Sequence, residues 1–259
     1  MKKQNAERPK SEDGSQYHLQ TRAGDLAPRC LLVGSPERAE MIAATLFRNA
    51  RRVGDHRGLK SYTGAYEGKP MSVVTTGMGS ASTAIVLPET IRSGARALIR
   101  VGTCGALRRE AVPGDAAICT GAVRLDGASE NWAPIQYPAV ADWRVVGALA
   151  TAARELKLPH HLGIGVTTTC FNEGQARPDD SGYVPPRLQA LHEELIRRGA
   201  LFYSMEEATL FVWCSTHGGH MCGAVDAVVA NRITGEFRVD GEESAARIAC
   251  EALRRLDVG

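Results

Sequence analysis

The feature that most restricts the fold is an alternation. Short apolar runs of strand length, several of them closing on glycine, are separated by windows whose apolar residues recur with helical period. The run Cys30-Leu31-Leu32-Val33 reads as a buried strand, Gly34-Ser35-Pro36 as a turn, and the next window carries Met41, Ile42 and Leu46 on one helical face. Residues 59–66 and 71–76 read as strands about the turn Glu67-Gly68-Lys69-Pro70. Gly77-Met78-Gly79-Ser80 then opens a helix through Ile85 and Ile91 that Pro88 should kink or shorten. Further strands are expected at 97–101, 163–168, 201–205 and 224–231, and helices at 142–156, 187–198, 206–217 and 242–256. Strands buried on both faces need crossover helices to cover them, so the expectation is a single α/β domain with a central mixed, mostly parallel sheet flanked by helices. Residues 1–16 are polar throughout and read as a mobile tail, and 17–259 as one catalytic domain without internal repeats.

Composition narrows the function classes. Of 259 residues 44% are apolar, enough for a sizeable core, and 31 Lys and Arg against 29 Asp and Glu leave a net charge of +2 with no basic stripe. Nucleic acid and membrane surfaces are therefore not expected partners. The seven cysteines are scattered, without Cys-x-x-Cys pairs or zinc-type Cys/His spacing, which suits a reducing cytoplasm and predicts no bound metal. No apolar run reaches membrane-span length, and the polar start of the chain is not signal-like.

Three expected strands end in small-residue loops, at Gly34, at Gly77 to Gly79 and at Gly102 to Gly105. In open α/β sheets ligands collect at the carboxyl ends of strands, where backbone N–H groups are free. Arg38 follows the first loop and Arg100 precedes the third. A phosphate dianion leaving water needs several donors at once, which two guanidinium groups, the Thr103 hydroxyl and glycine N–H groups can supply. Taken singly, Arg38 reads first as a solvated first-turn helix residue and Arg100 as a strand-end ion-pair partner. No loop has the nucleoside-triphosphatase pattern Gly-x-x-x-x-Gly-Lys-Ser/Thr or a dinucleotide-type Gly-x-Gly-x-x-Gly with its acidic partner. Cys104, without a base signature near it, reads as a packed small residue, His160-His161 as a solvated turn, and His217 and His220 as a helix end.

The joint pattern is more specific. Gly34-Ser35-Pro36-Glu37-Arg38, Thr76-Gly77-Met78-Gly79, Arg100-Val101-Gly102-Thr103-Cys104-Gly105-Ala106 and Tyr203-Ser204-Met205-Glu206 occur in this order. Together they resemble the nucleoside phosphorylase family. Val123-Arg124-Leu125-Asp126-Gly127-Ala128-Ser129, followed by Phe171-x-x-x-Gln175-x-Arg177, is similar to its uridine-cleaving branch, and the resemblance runs from about His18 to the C-terminus.

The resemblance implies reversible phosphorolysis of uridine to uracil and ribose 1-phosphate, with deoxyuridine or thymidine as further candidates and no cofactor beyond phosphate as co-substrate. By similarity, Gly34, Arg38, Arg100 and Thr103 would hold phosphate together with Arg57 of a neighbouring subunit. His18, also from the neighbour, would approach the ribose 5′-hydroxyl, Met205 would pack under the sugar, and Glu206 would bind its 2′- and 3′-hydroxyls. Phe171 would stack on the base, Gln175 and Arg177 would read its edge beside Gly105 and Val229, and Arg232 would lie near the opposite carbonyl. Arg100, Arg177 and Arg232 would thus act on the reacting groups, in a dimer as the smallest active unit and a hexamer overall.

A uracil edge alternates acceptor, donor and acceptor, which Gln175 with Arg177 matches better than it matches a purine edge. Two departures from the family pattern bear on function. Gly58 replaces a glutamate that binds an intersubunit monovalent cation, so no potassium site is expected. Ser204 replaces a glutamate commonly found near the sugar. A purine nucleoside phosphorylase, a nucleosidase of the same fold and a non-catalytic nucleoside-binding relative are the competing readings.

Overall fold

A strand that is apolar on both faces must be covered on both. In the computed structural model, which describes residues 6–258, β1 (Arg29–Val33) shows this directly. Cys30 and Leu32 join one buried cluster with Val74, Leu98 and Leu210, while Leu31 and Val33 join another with Ile42, Ile99 and Ile248. The period of two along the strand therefore sorts its side chains into two cores.

The elements follow in order: α1 (Pro36–Thr45), β2 (Arg48–His56), β3 (Leu59–Tyr66), β4 (Lys69–Thr75), α2 (Ser80–Arg92), β5 (Ala97–Ala106), β6 (Ala116–Leu125), β7 (Ala139–Val140), α3 (Trp143–Glu155), β8 (His160–Thr168), α4 (Pro186–Arg197), β9 (Phe202–Ser204), α5 (Glu207–Thr216), β10 (Met221–Asn231) and α6 (Glu242–Arg255). Helices α1, α3 and α6 cover the core around Leu31, and α2 and α5 the core around Leu32. Local chemistry sets several helix starts. Ser35 caps α1 by accepting from Arg38 N, with Pro36 in the first turn, and Asp142 caps α3 by accepting from Arg144 N. Among the described residues no helix is long and apolar enough to cross a membrane.

The strands form one mixed sheet in the order β10-β6-β8-β9-β5-β1-β4-β3-β2, and β10 also pairs with β5. That extra pairing closes β5, β10, β6, β8 and β9 into a ring, from which β1, β4, β3 and β2 extend. Parallel pairing joins β1 to β4 and β5, β10 to β5, β8 to β6, and β9 to β8. The β2–β3–β4 meander and the pairings of β10 with β6, β5 with β9 and β7 with β6 are antiparallel.

Several expectations need correction. Pro88 does not shorten α2, which continues to Arg92. Around it Val86, Leu87 and Thr90 are buried, so tertiary packing holds the helix across the missing N–H. The segment Gly102 to Gly105 is not a loop: β5 runs through it to Ala106, paired with β10 along its length. His160 and His161 open β8 rather than a solvated turn, and His161 Nε2 lies 2.8 Å from Asp115 Oδ2. Strands β2 and β6 were not foreseen. Of the expected tail, residues 1–5 lie outside the described residues. Further on, Lys10 bridges to Gln16, Ser15 and Gln16 are buried, and Gln16 N donates to Thr21 O at 2.8 Å.

Candidate active site

The site follows from a change of neighbours along β5. Residues Ala97 to Val101 pair with β1, which ends at Val33, whereas Gly105 and Ala106 pair with β9. Between them one edge of β5 loses its partner, and a crevice opens at the carboxyl ends of β1 and β5. A cavity of about 490 Å³ occupies it. Residues that line it come from the β1–α1 turn (Gly34, Ser35, Arg38), β5 (Arg100, Thr103, Cys104, Gly105), the segment after β8 (Phe171, Gln175, Arg177), the β9–α5 junction (Tyr203 to Glu206) and β10 with the chain that follows it (Val229 to Arg232, Phe237).

One end of the cavity is built around Arg100, which is 7% exposed. Its Nη2 pairs with Glu206 Oε2 and its Nη1 with Asp226 Oδ1, and Glu207 Oε1 stands 3.1 Å from Nη1. Burial alone would lower the guanidinium pKa, but Glu206, Glu207 and Asp226 outweigh it and raise it. Gly102 is required here, because a β-carbon at that position would overlap both Arg100 Nη1 and Asp226 Oδ1. Arg38 reaches the same end from α1, donating from Nη2 to Glu242 Oε1 at 2.5 Å and from Nη1 to the Val101 carbonyl at 3.3 Å. The Nε atoms of Arg38 and Arg100 are both buried without an acceptor. Both arginines line the one cavity, and each keeps a buried cationic donor without an acceptor.

Glu206 joins this end to the second glycine loop. Its Oε1 accepts from Gly79 N at 2.6 Å, and Gly79, at φ 87°, holds a left-handed backbone that favours glycine. Burial first, and then Asp226 and Glu207, pushes the Cys104 thiol well above its ordinary range, which makes it a packing residue and not a nucleophile.

The other end is made of loops. Ala176 sits in the left-handed region at φ 51° and ψ 40°, and this turn brings Arg177 back over its own segment. Arg177 Nη1 then donates to the Phe171 carbonyl and to Gln175 Oε1, each at 2.5 Å, with its guanidinium 3.7 Å above the Phe171 ring. Gln175 is buried and donates from Nε2 to Thr168 Oγ1 at 3.1 Å, while Arg232 Nη1 donates to its carbonyl at 2.9 Å. Burial, followed by the charge of Arg232, pulls the Arg177 pKa down to about 10.

Of the residues singled out from sequence, Gly34, Arg38, Arg100, Thr103, Gly105, Phe171, Gln175, Arg177, Met205, Glu206, Val229 and Arg232 all line this one cavity. His18 and Arg57 do not. His18 Nδ1 lies 2.8 Å from Glu89 Oε1, and Arg57 is exposed beside the Tyr17 ring. Sequence reasoning missed Glu207, Asp226 and Glu242, the carboxyl groups around the arginines. Asp226 did carry a signal: it is the lone charge inside the apolar run Ala224 to Val229, where an unpaired charge would be prohibitive.

Comparisons with known proteins agree with this architecture. The model of the phosphorylase superfamily matches residues 28–257. Among curated relatives, a uridine phosphorylase of Thermococcus kodakarensis is 42% identical over 97% of this chain and 90% of its own length. A uridine phosphorylase of Escherichia coli is 36% identical over 93% of this chain and 97% of its own. A guanosine phosphorylase of Halorubrum lacusprofundi is 30% identical over 93% of this chain and 99% of its own. With a strand-end crevice that gathers two arginines, three glycine segments and the carboxyl group of Glu206, and with relatives matching over nearly its whole length, the chain belongs to the phosphorylase superfamily.

Proposed function

We propose that this chain is a uridine phosphorylase, transferring the ribosyl group of uridine to inorganic phosphate to give uracil and ribose 1-phosphate, reversibly. The observation that carries the reading is the polarity of a single cavity. Arg38 and Arg100, with buried Nε donors lacking acceptors, stand at one end, and Gln175 with Arg177 at the other. Relatives named uridine phosphorylase support it at the level of the whole chain.

In the proposed reaction the C1′–N1 bond of the nucleoside breaks as a phosphate oxygen bonds to C1′. The bond's electron pair leaves with the base as a uracil anion, whose N1 takes up the proton that hydrogenphosphate gives up on becoming the sugar ester, so that it ends as neutral uracil. Positive charge develops on the sugar, where the phosphate anion and Glu206 stabilise it, and negative charge on the base, where Arg177 stabilises it. Thr103 and the Gly34 N–H complete the phosphate shell, Met205 packs under the sugar, and Phe171 offers its ring to the base. Gly105 and Val229 line the base end, and Arg232 lies near the base carbonyl opposite Gln175. Positioning and preorganised charge supply the acceleration, and the reaction as proposed uses no cofactor or metal.

His18 and Arg57 lie outside the cavity of their own chain and are assigned here to the site of a neighbouring subunit, in a cytoplasmic homo-oligomer whose smallest active unit is a dimer and whose full assembly is a hexamer. Mixing Arg57→Ala subunits with Arg100→Ala subunits tests this: activity regained above either parent supports a shared site, and none regained removes it.

A substrate panel of uridine, deoxyuridine, thymidine, inosine and guanosine, each with and without phosphate, tests the reaction. Base release from uridine that depends on phosphate is expected. Full-rate release in phosphate-free buffer would make the chain a hydrolase, and a preference for guanosine would align it with the Halorubrum relative instead.

A further inference from the structure

Around Arg100 the carboxyl groups outnumber the guanidinium. Glu206 and Asp226 each accept a hydrogen bond from it, and Glu207 Oε1 stands 3.1 Å from Nη1 without forming one. Glu207 and Asp226 are wholly buried. Two carboxyl oxygens are left over, Glu207 Oε1 and Asp226 Oδ2, both buried without a donor. Both side chains converge on the same nitrogen, Arg100 Nη1, which Glu207 Oε1 approaches to 3.1 Å and Asp226 Oδ1 accepts from, so they lie side by side and a single shared proton can relieve the pair. Without that proton two buried anions would face one another with one shared cation, an arrangement that proteins relieve by protonation.

The groups facing Glu207 point the same way. Arg100 and the Cys104 thiol face it from β5, the Cys119 thiol from β6, Thr167 from β8, Ser204 from β9 and Asp226 from β10, with Glu206 next to it in the chain. Burial raises its pKa well above the ordinary carboxylate range. Arg100 opposes this, but Asp226 and Glu206 add to it. Arg38 opposes the rise at Asp226.

Ser204 has a related consequence. It lines the cavity where uridine phosphorylases commonly carry a glutamate, and its hydroxyl donates to Glu207 Oε2. Glu207 itself is absent from the cavity wall. Glu207 thus stands behind Arg100, off the cavity surface and tied to Ser204.

We infer that Glu207 is a positioning residue for the phosphate end: it stays protonated at neutral pH, donates its proton to Asp226, and holds Arg100 in place without adding an anion beside bound phosphate. The inference rests on the phosphorolytic reading of the cavity.

Difference infrared spectra of wild type and Glu207→Gln at pH 7 test the proton directly. A protonated-carboxyl carbonyl band present in the wild type and lost in the variant is expected, and its absence from the wild type overturns the inference. This readout stands whether or not the protein turns over uridine, so it separates the inference from the functional reading. Phosphate dependence tests the role. The Gln amide can donate to Asp226 as the protonated carboxyl does, so Glu207→Gln should shift the phosphate KM at pH 7 by less than about threefold. Glu207→Ala, which leaves Ser204, Asp226 and Arg100 without this partner, should raise it about tenfold with a smaller change in kcat. Were Glu207 ionised, Glu207→Gln would remove a negative charge near a dianion and lower that KM by more than about tenfold, a result that overturns the inference. Should Glu207→Ala fail to fold, the Gln variant and the infrared band decide it.

Discussion

The two ends of the cavity are built by opposite means. At the arginine end, β1, β5 and β10 lie in register and every charged group is tied to another element, as Arg100 to Asp226 and Glu206, or Arg38 to Glu242 some 204 residues away. At the other end the hydrogen bonds of Arg177 are local, to Phe171 and Gln175 six and two residues back, Arg232 ties in from beyond β10 only through backbone carbonyls of Gln175 and Ala176, and Phe171 is 54% exposed. A strand-held, buried charge network resists rearrangement because moving one member strands the others, whereas a loop can trade side chains without disturbing the sheet. On the proposed reading, the sheet fixes the chemistry and the loop sets base choice. Mutations should separate the two.

The largest separation is expected from Arg100→Ala. It removes the proposed phosphate donor and also leaves Glu206, Glu207 and Asp226 facing one another in a buried site. We expect kcat/KM for uridine to fall by about two to three orders of magnitude, together with a loss of several kcal/mol in unfolding free energy, on the order of 3–5. Steady-state kinetics and urea unfolding measure the two losses. Near-normal activity would remove Arg100 from the chemistry. At the other end, Gln175→Ala should lower kcat/KM for uridine by about 10- to 100-fold, and for inosine far less, because a purine does not present the edge that glutamine reads. Unfolding should move much less than for Arg100→Ala. Equal losses on uridine and inosine would erase the distinction between the ends.

The same division governs what the sequence revealed. Gly102 was legible because a close approach leaves a residue-type mark, Gly77 and Gly79 because their left-handed backbone does, and Leu59–Tyr66 because its limits are set by turns within the chain. The Gln175-x-Arg177 pair was legible because its geometry is local. Hidden features depended on distant partners. Strand β2 is a polar edge strand that exists through its pairing with β3, and β6 is an alanine-rich strand with no alternation to mark it. Ring closure between β5 and β10 joins segments more than a hundred residues apart, and Glu242 gives no local sign that it meets Arg38. Ser204 read as a lost carboxyl group, and only coordinates reveal Glu207 behind it.

Proton linkage sharpens the contrast further. Burial holds the Glu207 and Asp226 carboxyls above their ordinary values near 4.5 and 3.8, so the folded protein keeps protons that the unfolded chain releases as pH rises. Stability from this source is complete below the unfolded values and is lost as pH climbs from there toward the folded ones. The slope is at most about 1.4 kcal/mol per pH unit for each proton retained. Urea midpoints for wild type should therefore fall from pH 5 to pH 8 more steeply than for Glu207→Gln. Parallel curves would mean the buried pair binds no extra proton. At the base end, Arg177 is pulled down only to about 10, so its charge does not change across this range.

The smallest effect is expected at the rim. Phe237 lines the cavity yet is 73% exposed, held by a single backbone bridge to Ala230. Its ring is not part of the packed core, so Phe237→Ala should change unfolding free energy by less than about 0.5 kcal/mol. The chain conformation there is fixed by backbone hydrogen bonds, as from Arg238 N to the Val229 carbonyl at 2.9 Å, which the substitution leaves in place. What the ring can do is shield the base end once a nucleoside occupies it. Removing it should raise the uridine KM by about two- to fivefold, through a lost apolar contact worth roughly 0.5–1 kcal/mol, with little change in the phosphate KM. A comparable rise in the phosphate KM would show that the rim is coupled to the arginine end, and the two-region account would then have to yield to one in which the whole cavity closes as a unit.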